Sequence, residues 1–318
     1  MWQIKILWNE SLKLTRSERG ARDYIYASDI GKPFLDRYYS MIGEPITNPF
    51  DTRILRVFEA GNLFEWVVKR VLIRAGLLLD YQKPCLIEPK GLLKVSGRLD
   101  FIAGGKPDWD KIQQQIKQEE YLPENLSRLS EQLVFELSKA YPNGLPECIP
   151  EVKSVHSLAF WAHLESLKKA YPHHRLQTYS YMKSEGLPGK VLYISKDDLC
   201  LEEVDIEYPN KELEDAWMED VSKMTHYFTK RIVPPREPDI IFSEEKQEWV
   251  VNWKVGRSLW LSKITGMTRE DWEPYAEKLA RKKNKEFKGA EEIAFYRKAY
   301  KDEYRKKNKK KGEENGDE

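Results

Sequence analysis

The segment "DTRILRVFEAGNLFEWVVKRVLIRAG", from Asp51 to Gly76, constrains the fold more than any other part of the chain. Leu55, Phe58, Val68, Val71 and Leu72 recur at helical spacing, which predicts one long amphipathic helix burying that stripe, with Gly76 as its C-terminal stop. Soon after it the period changes. "PCLIEPKGLLKVSGRLDFIAGGK" alternates and is punctuated by glycine, as expected of two antiparallel strands with turns. A long one-sided helix next to such strands packs on a sheet.

The later segments extend this pattern. From Asp108 to Tyr141 the chain is polar and helical, interrupted at Pro123, and reads as a helical insertion over about residues 103–147. "IPEVKSV" is the next strand. "LAFWAHLESLKKAYPHHRLQTYSYMKSEG" forms two helical pieces broken around Pro172, and "KVLYIS" and "LEEVDIEY" are strands rich in β-branched and aromatic residues. Upstream, Ser28 or Asp29 is expected to cap a helix that Pro33 helps to start. The order of elements predicts an α/β fold with a mixed central sheet flanked by helices.

With 318 residues, 41% of them hydrophobic, the chain can bury a substantial core. Charged residues make up 33%, no apolar run approaches membrane-spanning length, and "MWQIKILWNESLKL" lacks the order of a signal peptide. The expectation is a soluble, cytoplasmic protein with no membrane partner. Cys85, Cys148 and Cys200 are widely spaced without a CxxC pair, which argues for reduced core thiols. The net charge of +1 conceals a basic C-terminal tract, with fifteen Lys or Arg against five Asp or Glu between Lys278 and Lys311. Such a tract gains affinity for nucleic acid by counterion release; a solvated helix interleaved with Phe287, Phe295, Tyr296 and Tyr300 is the alternative. A domain over residues 1–265 and a basic helical extension over 266–318 with an acidic tip are expected.

Several polar residues stand where apolar ones would be ordinary. Side chains two apart on a strand share a face, so Glu151 and Lys153 lie together, with Val152 and Val155 expected opposite. Asp100 stands between Leu99 and Phe101, on a strand just after Gly97, which lets the backbone turn or approach something closely. Together Asp100 and Glu151 offer the hard oxygens that Mg²⁺ or Mn²⁺ prefers, and Lys153 beside them suits a water or a phosphate oxygen. Gln177 and Tyr181, four apart on a helix, share one face. Each has an ordinary reading too: a strand-end cap, a solvated ion pair, polar helix surface. His173 and His174 follow Pro172 and read as polar turn surface, although His174 is three residues before Gln177 and is a candidate ligand. His156 and His163 carry no assignment.

In order, Gly97 to Asp100, then Glu151 and Lys153 as ExK, then Gln177 and Tyr181 as QxxxY, resemble the RecB-like branch of the PD-(D/E)XK nuclease superfamily. The likeness is to the CRISPR-associated Cas-four-type exonucleases and their phage relatives, over roughly residues 20–205. It implies a restriction-endonuclease-like core and a metal-dependent DNA nuclease, an exonuclease on single strands or ends, with Mg²⁺ or Mn²⁺ held by Asp100, Glu151 and Glu65. Glu65 fits the first motif because it lies on the apolar helix two turns from Phe58 and Leu72, with Gly61 one turn earlier leaving room. Lys153, Gln177 and Tyr181 would complete the catalytic set. Possible partners are DNA and a helicase, recombinase or integrase, in repair, recombination or CRISPR-type processing. About fifty residues separate Asp100 from Glu151, more than is usual in that family, so the insertion has to leave their strands adjacent.

"VPPREPDIIFSEEKQEWVVNWKVGRSLWLSKITG" resembles the C-terminal part of the Cas-four-type proteins, where cysteines bind an iron-sulfur cluster. No cysteine remains in this segment, so no cluster is expected. Trp249, Trp253 and Trp260 would replace that staple by packing; the alternative is base stacking, with Lys254 and Arg257 supplying charge as nucleic-acid contacts. Two rival functions stay open: a non-catalytic DNA-binding or scaffold module of a nuclease, helicase or integrase complex, and a sugar-active or acyl-transfer enzyme that would leave Lys153 without a role.

Overall fold

The computed structural model describes residues 4–14, 20–118, 126–244 and 246–287. The chain divides into two compact units, Met1–Glu44 with Phe50–Pro234, and Pro45–Pro49 with Pro235–Glu318. The division thus falls after Pro234, whereas the sequence suggests a boundary after residue 265.

The first unit begins with α1 (Ile4–Leu14), β1 (Tyr24–Tyr26), a single 3-10 turn (Ala27–Asp29), α2 (Phe34–Ile42) and α3 (Thr52–Arg74). There follow β2 (Leu78–Tyr81), β3 (Pro84–Ile87), β4 (Lys94–Arg98), β5 (Phe101–Gly105), α4 (Trp109–Gln118) and α5 (Leu126–Ala140). The unit ends with β6 (Leu145–Val155), α6 (Ser157–Ala162), α7 (Leu164–Leu167), α8 (Pro172–Glu185), β7 (Gly189–Ser195), β8 (Leu201–Ile206) and α9 (Lys211–Thr229). The expected mixed α/β architecture is present, with helices on a mixed sheet.

The main sheet has five strands in the order β2-β5-β6-β7-β8. Only β6 and β7 run parallel, because α6 to α8 carry the chain back between them; the other pairs are antiparallel. The helical insertion leaves β5 and β6 as direct neighbours, with Ala103 opposite Cys148. Within it Ile112 is fully buried, and the Gln115 side-chain amide donates to the Leu78 carbonyl at 3.1 Å.

A second sheet, β1-β4-β3, changes one expectation. The run from Lys94 to Gly105 is two strands in two different sheets, and Asp100 lies in the break between them. Leu99 donates its amide to Lys83 O and Gln82 donates to Asp100 O, each at 3.0 Å, so the link between β2 and β3 holds that break.

The two faces of β6 pack into separate clusters. Val152 joins Phe101, Leu192, Ile194 and Ile73, covered by Phe64, Val68 and Leu72 of α3. Ile149 joins Val191, Tyr193, the α8 residues Tyr179, Tyr181 and Met182, and Trp217 of α9. Val155 packs with this second cluster, on the opposite face to that expected, because a period of two puts it with residues 151 and 153. On α3, Phe58 and Val71 are about half exposed, at 51% and 53%; Phe58 instead meets Phe50 edge to face. Neither Ser28 nor Asp29 caps α2, since Asp29 accepts from Arg22 and Lys32 and Pro33 occupies the cap position. The segment before β7 makes three helices, with Pro172 opening the third. Cys85 is buried, while Cys148 and Cys200 are only half-buried.

The second unit contains the hairpin β9 (Ile240–Ser243) and β10 (Glu248–Val251), then α10 (Trp253–Gly256), α11 (Leu261–Thr265) and α12 (Arg269–Phe287). Val255, Leu261, Trp272 and Ala276 form its core. Trp260 is buried and Trp249 half-buried, but Trp253 is 49% exposed beneath the Arg257 guanidinium, so it is not the packing residue expected. Trp272 fills that role, its indole N–H donating to Asp239 at 2.7 Å. The basic tract beyond Phe287, with Phe295, Tyr296 and Tyr300, lies outside the described residues.

Candidate active site

The polar residues singled out in the sequence meet beside β6. Glu151, 1% exposed, accepts at one oxygen, Oε1, from Lys153 Nζ at 2.5 Å and from Gln177 Nε2 at 2.6 Å. Its other oxygen, Oε2, is buried and has no hydrogen-bond partner among the described residues. Gln177 also donates to the Tyr181 hydroxyl one helical turn later, at 3.3 Å, so the two share the face expected of them. Tyr181 can lie here because Gly97 has no side chain: a Cβ would stand 2.8 Å from Tyr181 Cε1 and 2.9 Å from Ala27 Cβ.

Asp100 enters from the break between β4 and β5. It is buried, and its Oδ2 accepts the Val152 amide at 2.9 Å, which locks it to the strand that carries Glu151. Glu65 enters from α3, and its Oε2 accepts from Gln82 Nε2 at 3.0 Å.

Electrostatic coupling ties these groups into one cluster. Burial and then the charge of Glu151 push the Asp100 carboxyl well above the usual range, against the pull of Lys153 and the Val152 amide. Burial and Glu151 likewise raise Glu65, with Lys153 and Arg98 opposing. Burial acts to lower the Lys153 ammonium, but Glu151, Asp100 and Glu65 outweigh it and the net shift is upward. Three carboxylates facing one ammonium leave excess negative charge in a desolvated place, which a divalent cation would relieve.

Among the described residues, no three His, Cys, Asp or Glu side chains stand together as a complete ligand set. The donors nonetheless fit Mg²⁺ or Mn²⁺, because such ions are held through one or two carboxylates and keep water or phosphate oxygens elsewhere. Asp100 and Glu151 supply that pair of carboxylates, and the bare Glu151 Oε2 is a lone-pair donor with nothing else to satisfy it. Glu65 contributes charge from a carboxylate that Gln82 already holds.

No protein-family model matches the chain, and no curated protein matches it. Two solved structures align with the chain. SSO0001 aligns at a TM-score of 0.45 and 15% identity, covering 84% of this chain and 98% of its own. An alkaline exonuclease from Laribacter hongkongensis, LHK-Exo, aligns at a TM-score of 0.36 and 14% identity, covering 70% of this chain and 94% of its own. At such low similarity, function has to be read from the site.

Two further residues stand near this cluster, one that the sequence offered as polar turn surface or a candidate ligand and one of which it gave no sign. His174, expected as polar surface, shares a hydrogen bond of 2.8 Å between Nδ1 and the Tyr193 hydroxyl, which also accepts the Tyr171 amide at 3.0 Å. Tyr193 is the register partner of Lys153 across the parallel pair. Burial, then the charges of Lys153 and His173, depress the His174 imidazole to about 2, so it is neutral. A histidine after a helix-opening proline gives no hint of this; only the pairing of β6 with β7 does. Gln82 left no signal in its own neighbourhood, because its partners Glu65 and Asp100 are remote in sequence. Lys254 and Arg257 belong to the second unit.

Among the described residues no helix is long and apolar enough to cross a membrane.

Proposed function

We propose that this protein is a divalent-metal-dependent phosphodiester hydrolase acting on DNA, with exonuclease action on single strands or ends. The observation that carries the reading is the asymmetry of Glu151: two donors saturate Oε1 while Oε2 is buried and bare, with Asp100 locked to the next residue's amide and coupled to the Glu151 charge. A solvated strand-face ion pair would not be buried in this way. A sugar-active or acyl-transfer site would leave the Lys153 contact unexplained.

A Mg²⁺ or Mn²⁺ ion held by Asp100 and Glu151, with Glu65 in support, would supply positive charge against the charge that builds on the phosphate and make an attacking water more acidic. The chain's own groups do the rest. Lys153, kept charged by its acidic neighbours, neutralises a phosphate oxygen or orients that water. Gln177 holds Glu151 by one oxygen, so that the other stays available, and Tyr181 fixes the Gln177 amide from the next turn. Lys254, Arg257 and the basic tract are proposed to hold the DNA strand, in recombination, repair or CRISPR-type processing with a helicase, recombinase or integrase.

The test is incubation of end-labelled single- and double-stranded DNA with the full chain in Mg²⁺, Mn²⁺ or EDTA, beside Asp100→Ala. Metal-dependent cleavage that falls about a thousandfold or more in Asp100→Ala supports the reading. Binding without cleavage in any metal would favour a scaffold module, and equal cleavage by the variant would remove the site assignment.

A further inference from the structure

Resting on that reading, we propose that Gln82 is a positioning residue that biases how Glu65 can meet the cation: by donating to Oε2 it fixes the carboxylate and competes with the cation for that oxygen, which favours Oε1 toward the metal or its water shell. The residue sits in the two-residue link between β2 and β3, with φ of 52°, in the left-handed region that favours glycine. Glycine would adopt this conformation without strain. A glutamine accepts the strain and extends an amide to Glu65 at 3.0 Å.

The same residue reaches the second acid through its main chain. Its N–H donates to Asp100 O at 3.0 Å, and the next residue, Lys83, accepts the Leu99 amide at 3.0 Å. The backbone of Gln82 is therefore anchored to the break that presents Asp100, while its side chain is anchored to the carboxylate from α3. One residue couples two acids that are separated in the chain by more than thirty positions and come from different elements. A neutral donor is the suitable group here. It occupies one lone pair of Glu65 and disfavours bidentate approach, whereas a second carboxylate would add repulsion to an already acid-rich cleft.

The test uses two variants whose residues tolerate positive φ, Gln82→Gly and Gln82→Asn, the second too short to reach Glu65. The full chain is measured for melting temperature in EDTA, for Mn²⁺ affinity by calorimetry, and for DNA cleavage. The expected result is melting no lower than the wild type, with Mn²⁺ affinity weakened about 10- to 100-fold in both variants. In addition, Gln82→Gly should weaken Mn²⁺ binding little further once Glu65→Gln is present, since the two residues act through one contact. Variants that bind Mn²⁺ as the wild type does, or that lose binding only together with a lower melting temperature, would overturn the proposal. Wild-type protein that neither binds Mn²⁺ nor cleaves DNA would instead remove the hydrolase reading on which it rests.

Discussion

Two glycines near the site differ in what a methyl group would do. At Gly97 a Cβ would stand 2.8 Å from the Tyr181 ring and 3.3 Å from Cys85 Sγ, so Gly97→Ala is expected to cost about 1–3 kcal/mol by overpacking. At Gly61 the nearest atom is Ser154 Oγ at 3.9 Å and the residue is helical; Gly61→Ala should gain about 0.5–1 kcal/mol. Urea denaturation of the two variants checks both signs. In "VSGRLDFI" the glycine signalled either a turn or a close approach; the structure shows the close approach, to a tyrosine that the sequence did not identify. His174 supplies the pH dependence. Its folded pKa is depressed from the unfolded value of about 6.5 to about 2, so the unfolded chain binds a proton that the folded one does not. Stability from this residue is present above about pH 6.5 and is lost as pH falls, by about 2 kcal/mol at pH 5. Melting curves between pH 7.5 and 5 should therefore decline less steeply in His174→Gln than in the wild type.

At the scale of elements, α3, β6 and α8 were legible because period and polarity are local signals that survive without knowledge of partners. The break at Asp100 was not, because alternation continues from Val95 to Phe101, across the break, while the strand's neighbours change from β3 to β6. The stripe on α3 was misplaced for a related reason: Phe58 lies in its N-terminal part, away from Phe64, Val68 and Leu72, which meet the sheet. The frame behind the site depends on a charge that no periodicity reveals. Asp220 of α9 accepts from Arg37 of α2 at 2.6 and 3.1 Å and from the Gly31 amide at 3.1 Å, and the Arg37 side chain is only 2% exposed. Removing the carboxylate strands a buried guanidinium. Asp220→Ala should cost about 3–5 kcal/mol in chemical denaturation, more than replacement of any exposed pair such as Lys223 and Glu219.

At the scale of the molecule, most of the candidate site was legible as separated motifs, whereas their meeting in space depended on the insertion leaving β5 and β6 paired, which only the fold reveals. Charge distribution adds an expectation for DNA. The basic excess between Lys278 and Lys311 should make binding steeply salt-dependent. Removing residues after Phe287 should flatten the slope of log affinity against log salt by about 0.7–0.9 for each phosphate that the tract neutralises. The proposed hydrolase requires acids from α3, the β4 to β5 break and β6 to serve one cation. The most direct measurement is an anomalous-difference map from crystals of the protein soaked in Mn²⁺. A single strong peak within coordination distance of Asp100 and of Glu151 Oε2, absent in Asp100→Ala crystals, is the predicted result. Fully loaded crystals with manganese bound only elsewhere, and none between those two carboxylates, would contradict it.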